Sequence, residues 1–174
     1  APIELEPPEP PFSDFRENIL KDTEATDLLK FMKKELSAGK FAQESGHSVL
    51  LYGEPYTYTG SKTKPKPEAI PAELTKIVGD ISSALKLKHT PNSMLVNHFP
   101  ASKPSSSYDS HLAKHSDDEP EIVPDSKIIT ISLGSTRKVD FHPIHQNNKN
   151  PIELLVPNNS LYAMTRSSQA WYKH

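Results

Sequence analysis

The stretch "KIITISLGSTRKVDFH" (residues 127–142) contains two short apolar runs separated by a glycine and small polar residues. In the first run Ile129, Ile131 and Leu133 fall on one face, and hydroxyl side chains occupy the other. This period of two is typical of a β-strand that is buried on one side. The glycine followed by Arg137 predicts a hairpin or a bulge between the runs. The stretch therefore places two strands at the centre of a β region.

Similar short runs extend over the second half of the chain, with Pro, Asn, Ser and Gly between them, and no internal repeat is found. They are "SMLVNHF", "IELLV", "SLYAM" and "AWYKH". Farther upstream, "SVLLYGEPYTYTG" (48–60) is apolar and then rich in tyrosine, and is expected to be extended. Runs of this length and spacing predict antiparallel β-strands.

Two helices are predicted before this β region. Residues 21–40 and 70–89 place apolar side chains at i, i+3 and i+4, and Pro71 suits the first turn of the second helix. Helices followed by strands predict an α+β fold. We expect a small β-sandwich or barrel with the helices on one side.

Length and composition restrict the functional classes. The chain has 174 residues, enough for one domain with a core, and a net charge of -2 from 20 basic and 22 acidic residues. This balance gives no overall attraction to nucleic acid or membrane. The absence of cysteine excludes disulfides, thiolate zinc sites and a cysteine nucleophile. No apolar run reaches the roughly eighteen residues of a membrane span. Residues 1–13 are rich in proline and are predicted to form a linker, with a domain at 14–174.

One short motif points to a metal site. His115 and Asp117 are separated by one residue, so in an extended segment both side chains project to the same side. A third ligand from a distant strand would complete the facial triad of non-haem Fe(II) oxygenases. Glu119 is a candidate partner behind the ligands, and Glu121 is expected to face solvent.

Two other groupings leave alternatives open. His111 and His115 have the i, i+4 spacing of a helical zinc pair, which would suit a hydrolase. Tyr52, Tyr56 and Tyr58 alternate, which is usual for residues that pack a core. They could equally stack on a base, beside Lys62, Lys64 and Lys66.

Taken in order, five segments between residues 48 and 174 resemble the AlkB family of Fe(II)- and 2-oxoglutarate-dependent oxygenases. The segments are "LYGEPYTYTG", "PNSMLVNHF", "HSDDE", "ISLGSTRKVDF" and "LVPNNSLYAMTRSSQAWYKH". The resemblance implies a double-stranded β-helix (jelly-roll) core, with the N-terminal helices packed on one face. It implies Fe(II) with 2-oxoglutarate and O₂ as cosubstrates, and oxidative demethylation of N-methylated bases such as 1-methyladenine and 3-methylcytosine.

The resemblance also assigns roles to individual residues. It implies that His115, Asp117 and His174 bind the iron and that Asn97 contacts 2-oxoglutarate. It places Asp118 near the damaged base and Arg137 in contact with the substrate. It also implies that Tyr56 and Tyr58 line the nucleotide pocket.

Two departures from the family pattern stand out. Phe99 occupies a position where the family usually has tyrosine, which removes a hydroxyl that would bond the cosubstrate. The family also places an arginine for 2-oxoglutarate after the distal histidine, whereas this chain stops at His174. We therefore expect a domain truncated at its C-terminal edge.

The resemblance further implies a source and partners. Domains of this kind occur in replication polyproteins of plant positive-strand RNA viruses. That source implies methylated single-stranded RNA as substrate, with DNA as a second candidate. It also implies the other polyprotein domains as partners and a place in the host cytoplasm at viral replication complexes. We expect the chain to be monomeric. The competing hypothesis is a non-catalytic AlkB-like module for RNA binding or spacing.

Overall fold

A computed structural model describes residues 6–56, 61, 63–101, 111–146 and 148–174 of the chain. Tyr58 and Lys62, both singled out from the sequence, lie outside these residues. The elements in chain order are β1 (Ser13–Glu17), α1 (Asp22–Ser37), β2 (Ala42–Gln43), β3 (Ser48–Gly53), α2 (Ala72–Ala84), β4 (Ser93–His98), β5 (Ile128–Ser132), β6 (Arg137–Pro143), β7 (Ile152–Val156), β8 (Ser160–Met164), α3 (Arg166–Trp171) and β9 (Tyr172–Lys173).

The predicted α+β class is confirmed. In the described residues the strands form three antiparallel three-stranded sheets, ordered β1-β8-β5, β2-β3-β4 and β7-β6-β9, and none of them closes into a barrel. The chain divides into two compact units. The first unit contains the described residues up to Lys30 together with Lys114–His174, and the second contains Phe31–Ala113.

Both sheets of the first unit contribute to a hydrophobic core. Its buried members come from β6, β7, β8 and β9: Phe141, Leu154, Val156, Tyr162, Met164 and Tyr172. Burial of this apolar surface stabilises the unit at roughly 25 cal/mol per Å². Because β9 is held in this core by Tyr172, the position of the last residue, His174, is also restricted.

The link between β5 and β6 differs from the prediction. The strands are present, but β5 pairs with β8, whereas β6 pairs with β7 and β9, so the hairpin expected at residues 133–136 is wrong. Gly134, at φ +92°, lies in a connection between two sheets, and its N–H donates to Asn158 Oδ1. All residues of β5 are half-buried, on both faces of the strand. The predicted contrast between its two faces is therefore not visible in their exposure.

The end of the chain also corrects the prediction. The run "AWYKH" was expected to be extended throughout, but Ala170 and Trp171 belong to α3, and the strand begins at Tyr172. A reciprocal capping box between Thr165 and Ser168 begins the helix. The box uses serine where glutamate or glutamine is usual, so the sequence signal is weak.

The segment that precedes β1 contacts the first unit. Pro11 is among the fully buried residues, and the Tyr172 hydroxyl donates to the carbonyl oxygen of Pro8 at 3.1 Å. The linker boundary between residues 13 and 14 stays a prediction. No helix in the described part of the chain combines the length and apolarity needed to cross a membrane.

The second unit contains the later part of α1, from Phe31 onwards, all of α2, and the sheet β2-β3-β4. Every residue of β3 from Ser48 to Tyr52 is buried, as expected for a central strand covered on both faces. β3 ends at Gly53, where φ is +87° and a Cβ atom would lie 2.2 Å from the Asn92 carbonyl oxygen. Only glycine fits there. Pro71 is the N-cap of α2, one residue earlier than the predicted first-turn position.

A buried polar network connects α1 to β3 in this unit. The Glu35 carboxylate accepts hydrogen bonds from Lys40 Nζ at 2.7 Å and from the Tyr52 hydroxyl at 3.1 Å. The hydrogen bond from Lys40 lowers the pKa of Glu35 against the opposing effect of burial, and Tyr52 lowers it further. Burial, followed by the interaction with Glu35, raises the pKa of Tyr52.

This network predicts an acid-sensitive contribution to stability. Because the folded-state pKa of Glu35 lies below its ordinary value of 4.5, its contribution is complete above that value and is lost as the pH falls through the folded pKa. We expect Glu35→Gln to reduce the loss of unfolding free energy between neutral pH and about pH 3, measured by urea denaturation. Asp27→Asn, an exposed position on the same helix, is the control. An equal acid dependence in Glu35→Gln and wild type would contradict the assignment.

Candidate metal centre

Two histidines and one aspartate converge in the first unit. His115 Nε2 lies 3.5 Å from Asp117 Oδ1, and His174 Nε2 lies 3.3 Å from Asp117 Oδ2. The imidazole rings are 4.4 Å apart between centroids, and the three donor atoms all lie within 4.8 Å of one another. This is the arrangement expected of a group that holds one metal ion.

Backbone hydrogen bonds hold the two histidines side by side. The His115 N–H donates to the His174 carbonyl oxygen at 3.0 Å, and the His174 N–H donates to the His115 carbonyl oxygen at 2.9 Å. This exchange is that of a hydrogen-bonded pair in antiparallel strands. Phe141 packs at 6.0 Å from the His174 ring. The carboxylate of Asp117 therefore projects beside two restrained imidazoles.

The electrostatics favour an ionised carboxylate. Burial alone would raise the pKa of Asp117, but hydrogen bonds and charge from His115 and His174 lower it well below its usual range. Burial also raises the pKa of the neighbouring Tyr162, a hydrogen bond with Thr130 lowers it, and the charge of Asp117 raises it again. At neutral pH the centre thus offers one carboxylate and two imidazoles next to a neutral phenol.

A cavity of about 360 Å³ opens beside Asp117. Its polar lining includes Asp118, Glu119, Arg166 and Gln169. The rest of its wall is largely apolar: Pro120, Ile122, Val123, Pro124, Ile128 and Ala170, with Ser126. Because Asp117 belongs to both the triad and the cavity wall, a molecule bound in the cavity would lie next to the metal site.

The sequence profile of the 2OG-Fe(II) oxygenase superfamily matches residues 15–174, nearly the whole chain. The chain belongs to the 2OG-Fe(II) oxygenase superfamily. Enzymes of this superfamily use Fe(II), 2-oxoglutarate and O₂. The predicted cofactor and cosubstrates are therefore confirmed at the level of the family. No curated protein sequence gives a significant match.

The triad fits the ion that a 2OG-Fe(II) oxygenase requires. Adjacent donors bound to one first-row metal ion at about 2.1 Å lie about 3 Å apart. The 3.3 and 3.5 Å separations in the triad are close to that spacing. Two imidazoles and one carboxylate are also the donor set of non-haem Fe(II) sites with open coordination positions. The roles of His115, Asp117 and His174 as iron ligands stay a prediction, which this geometry supports.

The sequence did not predict two hydrogen bonds of the oxygenase site. The Ser116 hydroxyl donates to the Tyr172 carbonyl oxygen at 3.0 Å, and the Asp117 N–H donates to Gln169 Oε1 at 2.8 Å. Ser116 was only the intervening residue of the motif, and Gln169 belongs to the helix that was not predicted. The capping pattern at 165–168 was the available signal for that helix.

The other predicted residues of the oxygenase lie in both units. Asp118 lines the cavity and Arg137, half-buried, begins β6, both in the first unit. Asn97 lies on β4, exposed, and Tyr56 follows β3, both in the second unit. Their roles remain predictions. The position of Tyr58 is outside the described residues.

The alternative zinc pair is not supported. His111 and His115 would need a helix to share a face, but residues 111–119 form none. Helix formation is disfavoured there because Pro120 follows and the backbone of His115 is already paired with His174. The structure therefore contradicts the helical spacing on which the zinc-hydrolase hypothesis depended.

Proposed function

We propose that the chain is an AlkB-like Fe(II)/2-oxoglutarate dioxygenase domain that demethylates N-methylated bases in RNA, of the 1-methyladenine and 3-methylcytosine type. The observation that carries this proposal is Asp117, which belongs both to the metal-binding triad and to the wall of the cavity. The bound iron would supply O₂- and 2-oxoglutarate-dependent hydroxylation of an N-methyl group, which then leaves as formaldehyde.

The charges of the cavity support a cationic substrate base. Asp117, Asp118 and Glu119 contribute three carboxylates to its lining against the one guanidinium of Arg166, and Glu119 is only 8% exposed. 1-Methyladenine and 3-methylcytosine are cationic at neutral pH, and a buried carboxylate favours a cation over the neutral, unmethylated base. In this proposal Asp118 contacts the damaged base, as the family resemblance implies.

The size and apolar lining of the cavity support a flat ring. About 360 Å³ lies within the roughly 300–1,000 Å³ of ligand pockets. Ile122, Val123 and Ile128 provide apolar surface for the faces of a base that has been rotated out of its strand. Enzymes that modify bases reach them by rotating the base out of its strand. This rotation requires the least energy in a single-stranded substrate.

The remaining assignments belong to the same proposal. Asn97 would contact 2-oxoglutarate, Arg137 the nucleic acid, and Tyr56 and Tyr58 the nucleotide. The core would be the double-stranded β-helix of the family, with the helices on one face. The domain would act within a viral replication polyprotein, at replication complexes in the host cytoplasm, on methylated RNA and, as a second substrate to test, DNA.

The test is turnover of a short single-stranded RNA that carries one 1-methyladenine, with Fe(II), 2-oxoglutarate and O₂. We expect mass spectrometry to show loss of the methyl group together with release of formaldehyde. Asp118→Asn should lower kcat/KM for the methylated RNA by about tenfold or more, because it removes the charge that faces the cationic base. Glu121→Gln, an exposed carboxylate three residues away, should leave it unchanged.

The outcomes separate the proposal from its rival. Binding of the RNA without demethylation, and without dependence on added metal, would support the hypothesis of a non-catalytic module. Phe99 is the residue that favours this hypothesis. Phe99 stacks on His47 with ring centroids 5.5 Å apart and has no hydroxyl to offer a cosubstrate. Demethylation that is equal in Asp118→Asn and wild type would refute the assigned base contact alone.

A further inference from the structure

The amide of Gln169 contacts the main chain of a proposed metal ligand. Its Oε1 atom accepts the Asp117 N–H at 2.8 Å, across 52 residues of sequence. We propose that Gln169 is a positioning residue for the metal centre, which holds Asp117 in the orientation that binds the ion. This inference rests on the proposed metal-dependent function.

Hydrogen bonds to residues near the C-terminus help to hold the ligand segment in place. Residues 111–119 have no regular secondary structure, so no helix or long strand fixes them. Hydrogen bonds of the His115 backbone to His174 and of the Ser116 hydroxyl to Tyr172 connect this segment to the end of the chain. At Asp117 itself, the main-chain N–H donates to Gln169. Removing Gln169 Oε1 would take away the acceptor of this N–H, in the residue that supplies the single carboxylate of the triad.

Gln169 is itself held rigidly. It is 4% exposed, lies in the capped helix α3, and its Nε2 lies 3.3 Å from the Met164 sulfur. With the amide reversed, its NH₂ group would face the Asp117 N–H, two donors without an acceptor. The carbonyl oxygen of Gln169 is thus directed at Asp117 by the surrounding structure.

A small displacement of Asp117 would change the centre. Its two carboxylate oxygens face different imidazoles, Oδ1 towards His115 and Oδ2 towards His174, at 3.5 and 3.3 Å. Rotation of the peptide would turn the carboxylate away from one of them. Loss of hydrogen bonds that orient metal ligands typically weakens metal affinity by about 10- to 100-fold.

The test compares Mn²⁺ affinity in variants of the whole chain, measured from the electron paramagnetic resonance of free Mn²⁺. Gln169→Met keeps the length and burial of the side chain but removes the acceptor, and should raise the Kd about 10- to 100-fold. Met164→Leu, the control, perturbs the other contact of Gln169 and should leave the Kd within about threefold of wild type, since such substitutions conserve volume.

Two further variants test whether the effect of Gln169→Met comes from the lost hydrogen-bond acceptor. Gln169→Glu keeps the acceptor and should retain tight binding, but its charge also attracts a cation. The decisive comparison is therefore Gln169→Met against Met164→Leu. Should Gln169→Met fail to fold, Gln169→Asn shortens the amide by one methylene and replaces it in the comparison. Urea denaturation without metal separates a loss of stability from a loss of affinity.

The results distinguish this inference from the function on which it rests. If wild type binds Mn²⁺ and Gln169→Met binds it equally well, the positioning role is refuted and the metal site stands. The same holds if Met164→Leu weakens binding as much as Gln169→Met, because the effect is then one of packing. If wild type does not bind Mn²⁺, the proposed function fails and the positioning role fails with it.

Discussion

Asp117→Asn is expected to lower the affinity for Mn²⁺ or Fe(II) by more than about a hundredfold, a larger loss than that caused by removing a hydrogen bond to a metal ligand. Asp117 supplies the only negative charge of the triad, and its oxygens face both histidines. Asparagine keeps the size of the side chain and the N–H that donates to Gln169, so the local fold should persist. Anaerobic calorimetric titration with either ion measures the loss.

The neighbouring carboxylate provides the matched control for this substitution. Asp118 lines the cavity but is not part of the triad, so Asp118→Asn should change metal affinity by no more than a few-fold. Equal losses in the two variants would mean that the site responds to local charge in general. Undiminished binding by Asp117→Asn would contradict the assignment of the triad as the metal site.

Asn159→Ala is expected to lower the unfolding free energy by about 3–5 kcal/mol. Asn159 is 2% exposed, and its side chain accepts the Leu20 N–H at 3.0 Å and donates to the Leu20 carbonyl oxygen at 2.7 Å. Alanine would leave both of these main-chain groups without their partner, at about 1–3 kcal/mol each. Its backbone, at φ +62°, also favours asparagine over alanine.

Its neighbour in sequence is the control for stability. Asn158 is exposed, and its side chain accepts a single hydrogen bond from the Gly134 N–H. Asn158→Ala should therefore cost less than about 1 kcal/mol in the same urea denaturation experiment. Similar losses in the two variants would show that the buried contacts with Leu20 do not stabilise the unit as argued.

Periodicity in the sequence was sufficient for most of the secondary structure. The first helix was expected at residues 21–40 and is observed at Asp22–Ser37, and the second at 70–89 and is observed at Ala72–Ala84. Most of the predicted strands are also present. These elements depend on local spacing of apolar side chains, which a single sequence displays directly.

Strand pairing and the surroundings of the metal site could not be predicted in the same way. The hairpin between β5 and β6 was wrong because pairing depends on partners that are distant in sequence, here β8 for β5. His115 and Asp117 were candidate ligands because of their spacing, and the family resemblance added His174. The amide of Gln169, by contrast, reaches Asp117 only through the folded helix α3. The cavity likewise forms from two separate segments, 117–128 and 166–170.

The most direct test of the metal centre is anaerobic addition of Fe(II) and 2-oxoglutarate, followed by visible absorption. An oxygenase of this superfamily should show the charge-transfer band of the complex that contains both. We expect the band in wild type and in His89→Ala, an exposed histidine outside the triad, and its loss in His115→Ala. Absence of the band in wild type, or an unchanged band in His115→Ala, would contradict the account.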